Sequence, residues 1–112
     1  MKFSVREYLT ADGRGPYREW LETLDLGVRA RVQARVLRFE QGNLGDHKSV
    51  GQGLLEARLT FGPGYRIYFG MYGSAVVLLL LGGDKGSQVR NIQAAKRHWS
   101  DFVEATKDGK AK

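Results

Sequence analysis

The spacing of hydrophobic residues changes along the first quarter of the chain, and each spacing predicts an element. Phe3, Val5 and Leu9 alternate roughly with polar residues, which is typical of a half-buried strand. Pro16 then stands where a helix favours its first residue. Apolar residues follow it at helical spacing and predict a short helix that ends at residues 25–27. They are Tyr17, Trp20, Leu21 and Leu24.

A second amphipathic helix is predicted for residues 28–41, because an apolar stripe runs along it and Gly42-Asn43 is a typical helix end. Arg31, Arg35 and Arg38 recur on another face of this helix. A short connection between two helices predicts a helical hairpin that packs on a sheet.

Three strands are predicted in quick succession after a glycine-rich loop at residues 44–53. The strands are residues 54–61, 65–72 and 74–81. Their short, glycine-containing joins predict antiparallel hairpins. The last of these strands is apolar on both faces, so we expect it to be central in the sheet.

A glycine-rich turn at residues 82–86 leads to the last predicted helix, residues 88 to about 105, with Ser87 as its N-cap. The apolar stripe of this helix consists of Ile92, Ala95, Trp99, Phe102 and Val103. The sequence therefore predicts an α+β domain at residues 1–106, in which an N-terminal strand and a helical hairpin pack on an antiparallel sheet of about four strands. Residues 107–112 are predicted to be a flexible basic tail.

Composition narrows the class of protein. The 112 residues suffice for one domain, and the absence of cysteine excludes disulfides, thiolate metal sites and a cysteine nucleophile. His47 and His98 lie far apart in sequence without a third ligand at metal spacing, so no metal site is predicted. Neither a signal peptide nor a membrane span is recognisable, which predicts a soluble cytoplasmic protein. The net charge of +6 indicates a polyanionic partner.

Strand alternation gathers charged and aromatic side chains on one sheet face, which we expect to be open, while the helices cover the other face. They are Glu56, Arg58, Arg66, Tyr68 and Tyr72. Lys85 follows the last strand and could reach the rim of this face. Guanidinium groups bind phosphate and aromatic rings stack on bases, so the face is a candidate nucleic-acid site. An ordinary solvated sheet face explains the same pattern about equally well.

The arginine stripe of the second helix has two interpretations as well. Most such stripes are solvated helix faces. The alternative is that Arg31, Arg35 and Arg38 contact RNA or an acidic partner.

Several blocks of the sequence resemble the addiction-module killer proteins, a HigB-like branch of the RelE/ParE toxin superfamily. These blocks are GNLGDHK at residues 42–48, VGQG at 50–53, EAR at 56–58, GPGYRIYF at 62–69, LLLGGDK at 79–85, and Gln88 with Asn91-Ile92. The resemblance extends from residue 3 to about residue 103. GPGYR and GGDK together are specific, whereas either block alone would be weak.

This resemblance implies a RelE-like fold and a toxin of a type II toxin–antitoxin system. Such toxins arrest growth, usually by cutting messenger RNA and often in the ribosomal A site. Their partner is an antitoxin, commonly a helix-turn-helix protein, and no small-molecule cofactor is implied. Arg58, Arg66 and Lys85 match the basic residues that bind the scissile phosphate in RelE-like nucleases. The family's late tyrosine or histidine has no clear match, because no tyrosine follows Tyr72 and His98 lies deep in the last predicted helix.

Three functions remain open at this point. In a metal-independent endoribonuclease, Arg58 and Arg66 would clamp the phosphate with support from Lys85, Glu56 would be the base, and Tyr68 would stack or act as acid. Lys48, Tyr72 and the three helix arginines would bind nucleic acid. The second function is a ParE-like poison of DNA gyrase, which cuts nothing itself, and the third is a non-toxic binding module. We expect the antitoxin to cover the arginine helix or the open sheet face.

Overall fold

A five-stranded mixed sheet with helices on both faces organises residues 2–107, the part of the chain that the computed structural model describes. The elements are β1 (Ser4–Glu7), α1 (Pro16–Glu22), α2 (Leu26–Glu40), β2 (His47–Gly51), β3 (Leu54–Leu59), β4 (Tyr65–Tyr72), β5 (Val76–Gly83), a 3₁₀ turn (Lys85–Ser87) and α3 (Gln88–Lys107). The predicted α+β class, the two consecutive N-terminal helices and the C-terminal helix are confirmed. The predicted tail begins at Lys107, which is the last residue of α3, and residues 108–112 lie outside the described part.

The strand order is β1-β5-β4-β3-β2, and it corrects two predictions. The sheet has five strands rather than four, because β2 lies within the segment that was predicted to be a loop. The sheet is also not wholly antiparallel, because β1 pairs with β5 in parallel while the other pairs are antiparallel. The strand that we expected to be central is β5. It is paired on both sides, although the middle strand of the sheet is β4.

Side-chain caps mark the start of α2 and of the 3₁₀ turn that leads into α3. Asp25 is the N-cap of α2, and its side chain accepts a hydrogen bond of 2.9 Å from the Val28 N–H, so α2 starts earlier than predicted. Ser87, the predicted N-cap of α3, is the last residue of the 3₁₀ turn, and Asp84 caps that turn because its side chain accepts from the Ser87 N–H at 3.1 Å in a capping box. Gly82 and Gly83 belong to the end of β5 and not to a turn.

Both faces of the sheet are buried, which corrects the expectation of one open face. Between the sheet and the helices α1 and α2 lies a core that includes Tyr17, Leu21, Phe39 and Phe69. On the opposite face α3 covers a second core built from Tyr8, Leu54, Tyr68, Leu78, Leu80 and Ala95. α3 has 20 residues, yet neither it nor any other helix within residues 2–107 combines the length and apolar character needed to cross a membrane.

The glycine pair at the end of β5 allows helices to approach from both sides. A Cβ atom added to Gly82 would overlap the indole ring of Trp20 from α1, and one added to Gly83 would overlap the amide of Asn91 from α3. Gly82 therefore requires glycine for reasons of space, whereas at Gly83 a methyl group would have to displace the Asn91 amide.

We expect Gly82→Ala to lower the free energy of unfolding by about 1–3 kcal/mol, because the new methyl group must displace a packed indole ring. Urea denaturation of the purified protein measures the change. Gly27→Ala is the matched control, since its Cβ would lie 3.6 Å from the nearest atom, at ordinary contact distance. The prediction is wrong if the two variants unfold at the same urea concentration.

Candidate nucleic-acid site

A buried carboxylate lies at the centre of the site. Glu56 on β3 is fully buried, and each of its oxygens accepts two hydrogen bonds. Oε1 accepts from Arg66 Nη1 at 2.9 Å and from Arg58 Nε at 3.4 Å. Oε2 accepts from the Tyr68 hydroxyl at 3.0 Å and from Gln88 Nε2 at 2.9 Å. We call these five residues the Glu56 cluster.

Strand register brings the members of the Glu56 cluster together. Glu56 lies opposite Tyr68 across the β3–β4 pair, and Arg58 lies opposite Arg66. Directly opposite residues present their side chains on the same face, and residues two apart on one strand do so as well. Arg66 is in turn opposite Gly83 at the end of β5. The cluster therefore sits at the end of the sheet where β5 leads into α3, and the first residue of α3 completes it.

The hydrogen bonds decide the charge state of the buried groups. Burial alone would raise the pKa of Glu56, but hydrogen bonds from Gln88 and Tyr68 and the charge of Arg66 outweigh it and hold that pKa below its usual value. Burial and the neighbouring Glu56 carboxylate raise the pKa of the Tyr68 hydroxyl well above its usual value. At neutral pH the cluster thus holds one carboxylate and two guanidinium groups, which leaves one positive charge in excess.

Burial changes the roles that Glu56 and Tyr68 were predicted to play. Both were expected on an open face, yet both are completely buried because α3 lies across that face. The Glu56 oxygens are occupied by four donors, and the Tyr68 hydroxyl already donates to Glu56. Neither side chain is placed to meet a substrate. Glu56 instead holds the two guanidinium groups in position, and Tyr68 holds Glu56.

Several accessible positive charges lie around the cluster, and the partly exposed Asp84 is a nearby negative charge. The Arg58 side chain is 37% exposed and that of Arg66 is 12% exposed. Lys85 is exposed in the 3₁₀ turn, and Lys48 is exposed on β2 in register with Glu56. Arg66 Nε is buried and has no acceptor within residues 2–107. An anion between the two guanidinium groups would offer acceptors to donors of this kind.

Two aromatic residues considered in the sequence lie away from the cluster. Tyr72 is six residues beyond Arg66 on β4, about 20 Å along an extended strand. Its ring packs edge-on against Phe102, with the ring centroids 5.2 Å apart. The His98 ring lies 5.2 Å from that of Tyr8, and burial lowers the pKa of His98. Tyr72 and His98 both line a groove of about 960 Å³ between β1 and α3. The Glu56 cluster therefore gains no stacking ring from Tyr72 and no acid or base from His98.

The three arginines of the α2 stripe have different roles in the structure. Arg35 is half-buried and donates to the backbone carbonyls of Leu44, Asp46 and Arg58 at 2.6–3.3 Å. It ties the end of β3 and the loop between α2 and β2 to α2, so its hydrogen-bond donors are already engaged with backbone carbonyls. Arg31 and Arg38 remain exposed.

We expect Arg35→Ala to destabilise the fold by about 1–3 kcal/mol, because carbonyl groups around the end of β3 lose a charged donor. Thermal unfolding followed by circular dichroism measures this loss. Arg38→Ala, on the same helix but exposed, should stay within about 0.5 kcal/mol of the wild type. Equal melting temperatures for the two variants would contradict the structural role of Arg35.

Gln88 is the member of the cluster that sequence reasoning did not place in the site. Its position directly after a helix cap was visible in the sequence, but its contact with Glu56 depends on how α3 crosses the sheet. Within residues 2–107, no group of three His, Cys, Asp or Glu side chains is close enough to hold a metal ion.

The sequence is similar to that of a known protein, although it matches no family model. An uncharacterized protein of Haemophilus influenzae is 39% identical over 97 residues, which cover 86% of this chain and 92% of that protein. The similarity therefore extends over nearly the whole of both chains.

Proposed function

The chain belongs to the same family as the Haemophilus influenzae protein, and we propose that it is the toxin of a type II toxin–antitoxin module with a RelE-like fold. In this proposal it arrests growth in the cytoplasm by cutting messenger RNA, in association with the ribosome. A cognate antitoxin of the helix-turn-helix type neutralises it. The resemblance of its sequence blocks to HigB-like toxins supports the module, and the Glu56 cluster supports the chemistry.

The observation that carries the nuclease proposal is the pairing of Arg58 with Arg66 on one buried carboxylate. The two guanidinium groups come from neighbouring strands, and each donates to Glu56 Oε1. One carboxylate offsets only one of the two positive charges. Guanidinium groups that are fixed in this way suit a phosphate, because they are oriented before the anion arrives.

The proposed reaction is an internal transfer at phosphorus. The 2′-oxygen of one nucleotide attacks the adjacent phosphorus, and the bond from phosphorus to the 5′-oxygen of the next nucleotide breaks. The products are a 2′,3′-cyclic phosphate and a 5′-hydroxyl, so no water is consumed. Arg58 and Arg66 stabilise the negative charge that develops on the phosphoryl oxygens, and Lys85 supports them from the rim.

Two protons must move in this reaction, from the 2′-hydroxyl and to the leaving 5′-oxygen. Glu56 was our sequence-based candidate for the base, and Tyr68 for the acid. In the revised proposal they are positioning residues, because both are buried and already engaged with each other. The proton transfers then belong to groups outside the Glu56 cluster, including ribosomal RNA in the bound complex.

The experiment is inducible expression of the chain without its antitoxin, followed by primer extension on a few abundant messages. The proposal predicts growth arrest with new 5′ ends at defined positions within codons. Intact messages in arrested cells would exclude the nuclease function.

A ParE-like DNA gyrase poison is the second candidate function. The burial of Glu56 and Tyr68 favours it, because a toxin that only binds its target needs no accessible acid or base. In that case induction would leave messenger RNA intact while cleaved DNA accumulates. Intact DNA together with cut messages would exclude this alternative.

A further inference from the structure

We infer that a pocket between α2 and the end of β3 is a second phosphate subsite, which holds single-stranded RNA beside the Glu56 cluster. This inference rests on the proposed function. The pocket measures about 250 Å³, and its walls include Arg31, Arg35, Arg38, Thr60 and Phe61. We call it the arginine pocket.

The arginine pocket concentrates positive charge that the protein does not neutralise. Arg31, Arg35 and Arg38 recur every three or four residues on α2, where like charges repel each other. None of the three is within ion-pair distance of a carboxylate in the described part of the chain. Asp46 is the acidic residue whose charge acts on Arg35. A bound anion would relieve this repulsion.

The three arginines are held to different degrees. Arg35 is fixed by its bonds to backbone carbonyls and contributes a stationary charge. The Arg31 guanidinium carbon lies 3.8 Å from the centroid of the Phe61 ring, a cation–π contact that orients it. Arg38 and the Thr60 hydroxyl are on exposed residues and can supply further donors. The pocket thus combines prearranged charge with free hydrogen-bond donors.

The arginine pocket lies at the same end of β3 as the Glu56 cluster, on the side of the sheet that α2 covers. Thr60 lies two residues after Arg58, which is about 7 Å along an extended chain. Arg35 also donates to the Arg58 carbonyl at 2.7 Å, so the two sites meet at the end of β3. A polynucleotide carries regularly spaced phosphates and can occupy both sites at once. An acidic peptide is the weaker fit, because protein interfaces are centred on a buried apolar or aromatic anchor, whereas the exposed surface of this pocket is mainly polar.

The test is equilibrium binding of the purified chain to an oligouridylate of about 12 nucleotides, a length that can span both sites. Its 2′-hydroxyl groups are methylated, so the probe lacks the attacking group and stays intact. Arg31→Ala/Arg38→Ala should weaken binding about tenfold and reduce the slope of log K against log salt by about 1.4. Arg6→Ala/Arg97→Ala removes two exposed arginines elsewhere and should change affinity by less than about twofold.

Two outcomes would overturn the subsite. One is an equal loss of affinity in both double variants, which would mean that only net charge matters. The other is a wild-type chain that binds poly-glutamate but not the oligouridylate, which would assign the pocket to an acidic protein. The nuclease proposal can fail while the subsite proposal holds. The binding results would then be as expected, while induction of the wild-type chain leaves messenger RNA uncut.

Discussion

Arg66→Ala should abolish growth arrest when the chain is expressed without its antitoxin. Arg66 is one of the two guanidinium groups that the Glu56 carboxylate holds beside each other, and it is the more deeply buried of the pair. Removing one preorganised donor to a developing negative charge costs about 10²–10³-fold in rate. Growth curves, together with quantification of cut messages, measure the effect.

Controls separate a lost phosphate contact from a lost fold. Arg66→Ala also takes a charged partner from a buried carboxylate, so the variant must be shown to be folded by circular dichroism and by antitoxin binding. Arg66→Lys keeps the positive charge but lacks the planar guanidinium group, so it should recover only a small part of the activity. Arg97→Ala removes an exposed arginine on α3 and should remain fully toxic. Full arrest by a folded Arg66→Ala protein would contradict the clamp.

Glu56→Ala should be the most destabilising change in the site, lowering the free energy of unfolding by about 3–5 kcal/mol. Truncation leaves two guanidinium groups, a tyrosine hydroxyl and an amide without their shared acceptor. Glu56→Gln keeps the shape and one acceptor oxygen, so it should lose less. Urea denaturation at neutral pH measures both variants. A loss below about 1 kcal/mol for Glu56→Ala would contradict the central role of the carboxylate.

The same carboxylate gives stability a defined dependence on pH. The pKa of Glu56 is lower in the folded chain than its usual value of 4.5, so folding favours the ionised form. Its contribution is therefore fully present above pH 4.5 and is lost as the pH falls through the lower, folded pKa. The stability difference between wild type and Glu56→Gln should be constant near neutral pH and shrink in acid. A difference that grows in acid would mean that the shift has the opposite sign.

The helices could be predicted because each carries its own periodic stripe. Tyr17 and Leu21 recur on one face of α1, and Val32 and Phe39 on one face of α2, and all four are buried. Pro16 also begins α1 as expected. An apolar stripe depends only on the spacing of residues within one helix, so it can be recognised from the sequence alone.

The strand β2 and the position of α3 could not be predicted in the same way. β2 is an edge strand with mostly exposed residues, so it lacks the alternation that identifies a half-buried strand. The apolar stripe of α3 indicated that it packs on something but not on which surface. Trp99 packs over Gly70 on the face that we expected to be open, where a Cβ atom would meet the indole ring. Gly70 lies inside a strand, and a glycine at such a position indicates that another group packs closely against the strand.

The sequence predicted which residues form the candidate site, but it did not predict how deeply they are buried. Alternation placed Glu56, Arg58 and Arg66 together, because the side-chain period of a strand is fixed. The alternation also placed Tyr72 with them, because it identifies the face of the sheet on which a side chain lies but not its distance along the strand. The burial of Glu56 depends on α3, which is distant in sequence.

The chemistry of the cut ends tests the central claim most directly. After brief induction of the wild-type chain, RNA is mapped by a ligation that captures 5′-hydroxyl ends selectively, and the upstream fragments are examined for 2′,3′-cyclic phosphate. Wild type and Arg97→Ala should produce both kinds of end at the same codon positions, and folded Arg66→Ala should produce neither. Intact messages, or ends that persist in Arg66→Ala, would contradict an RNA phosphate clamp held by Glu56.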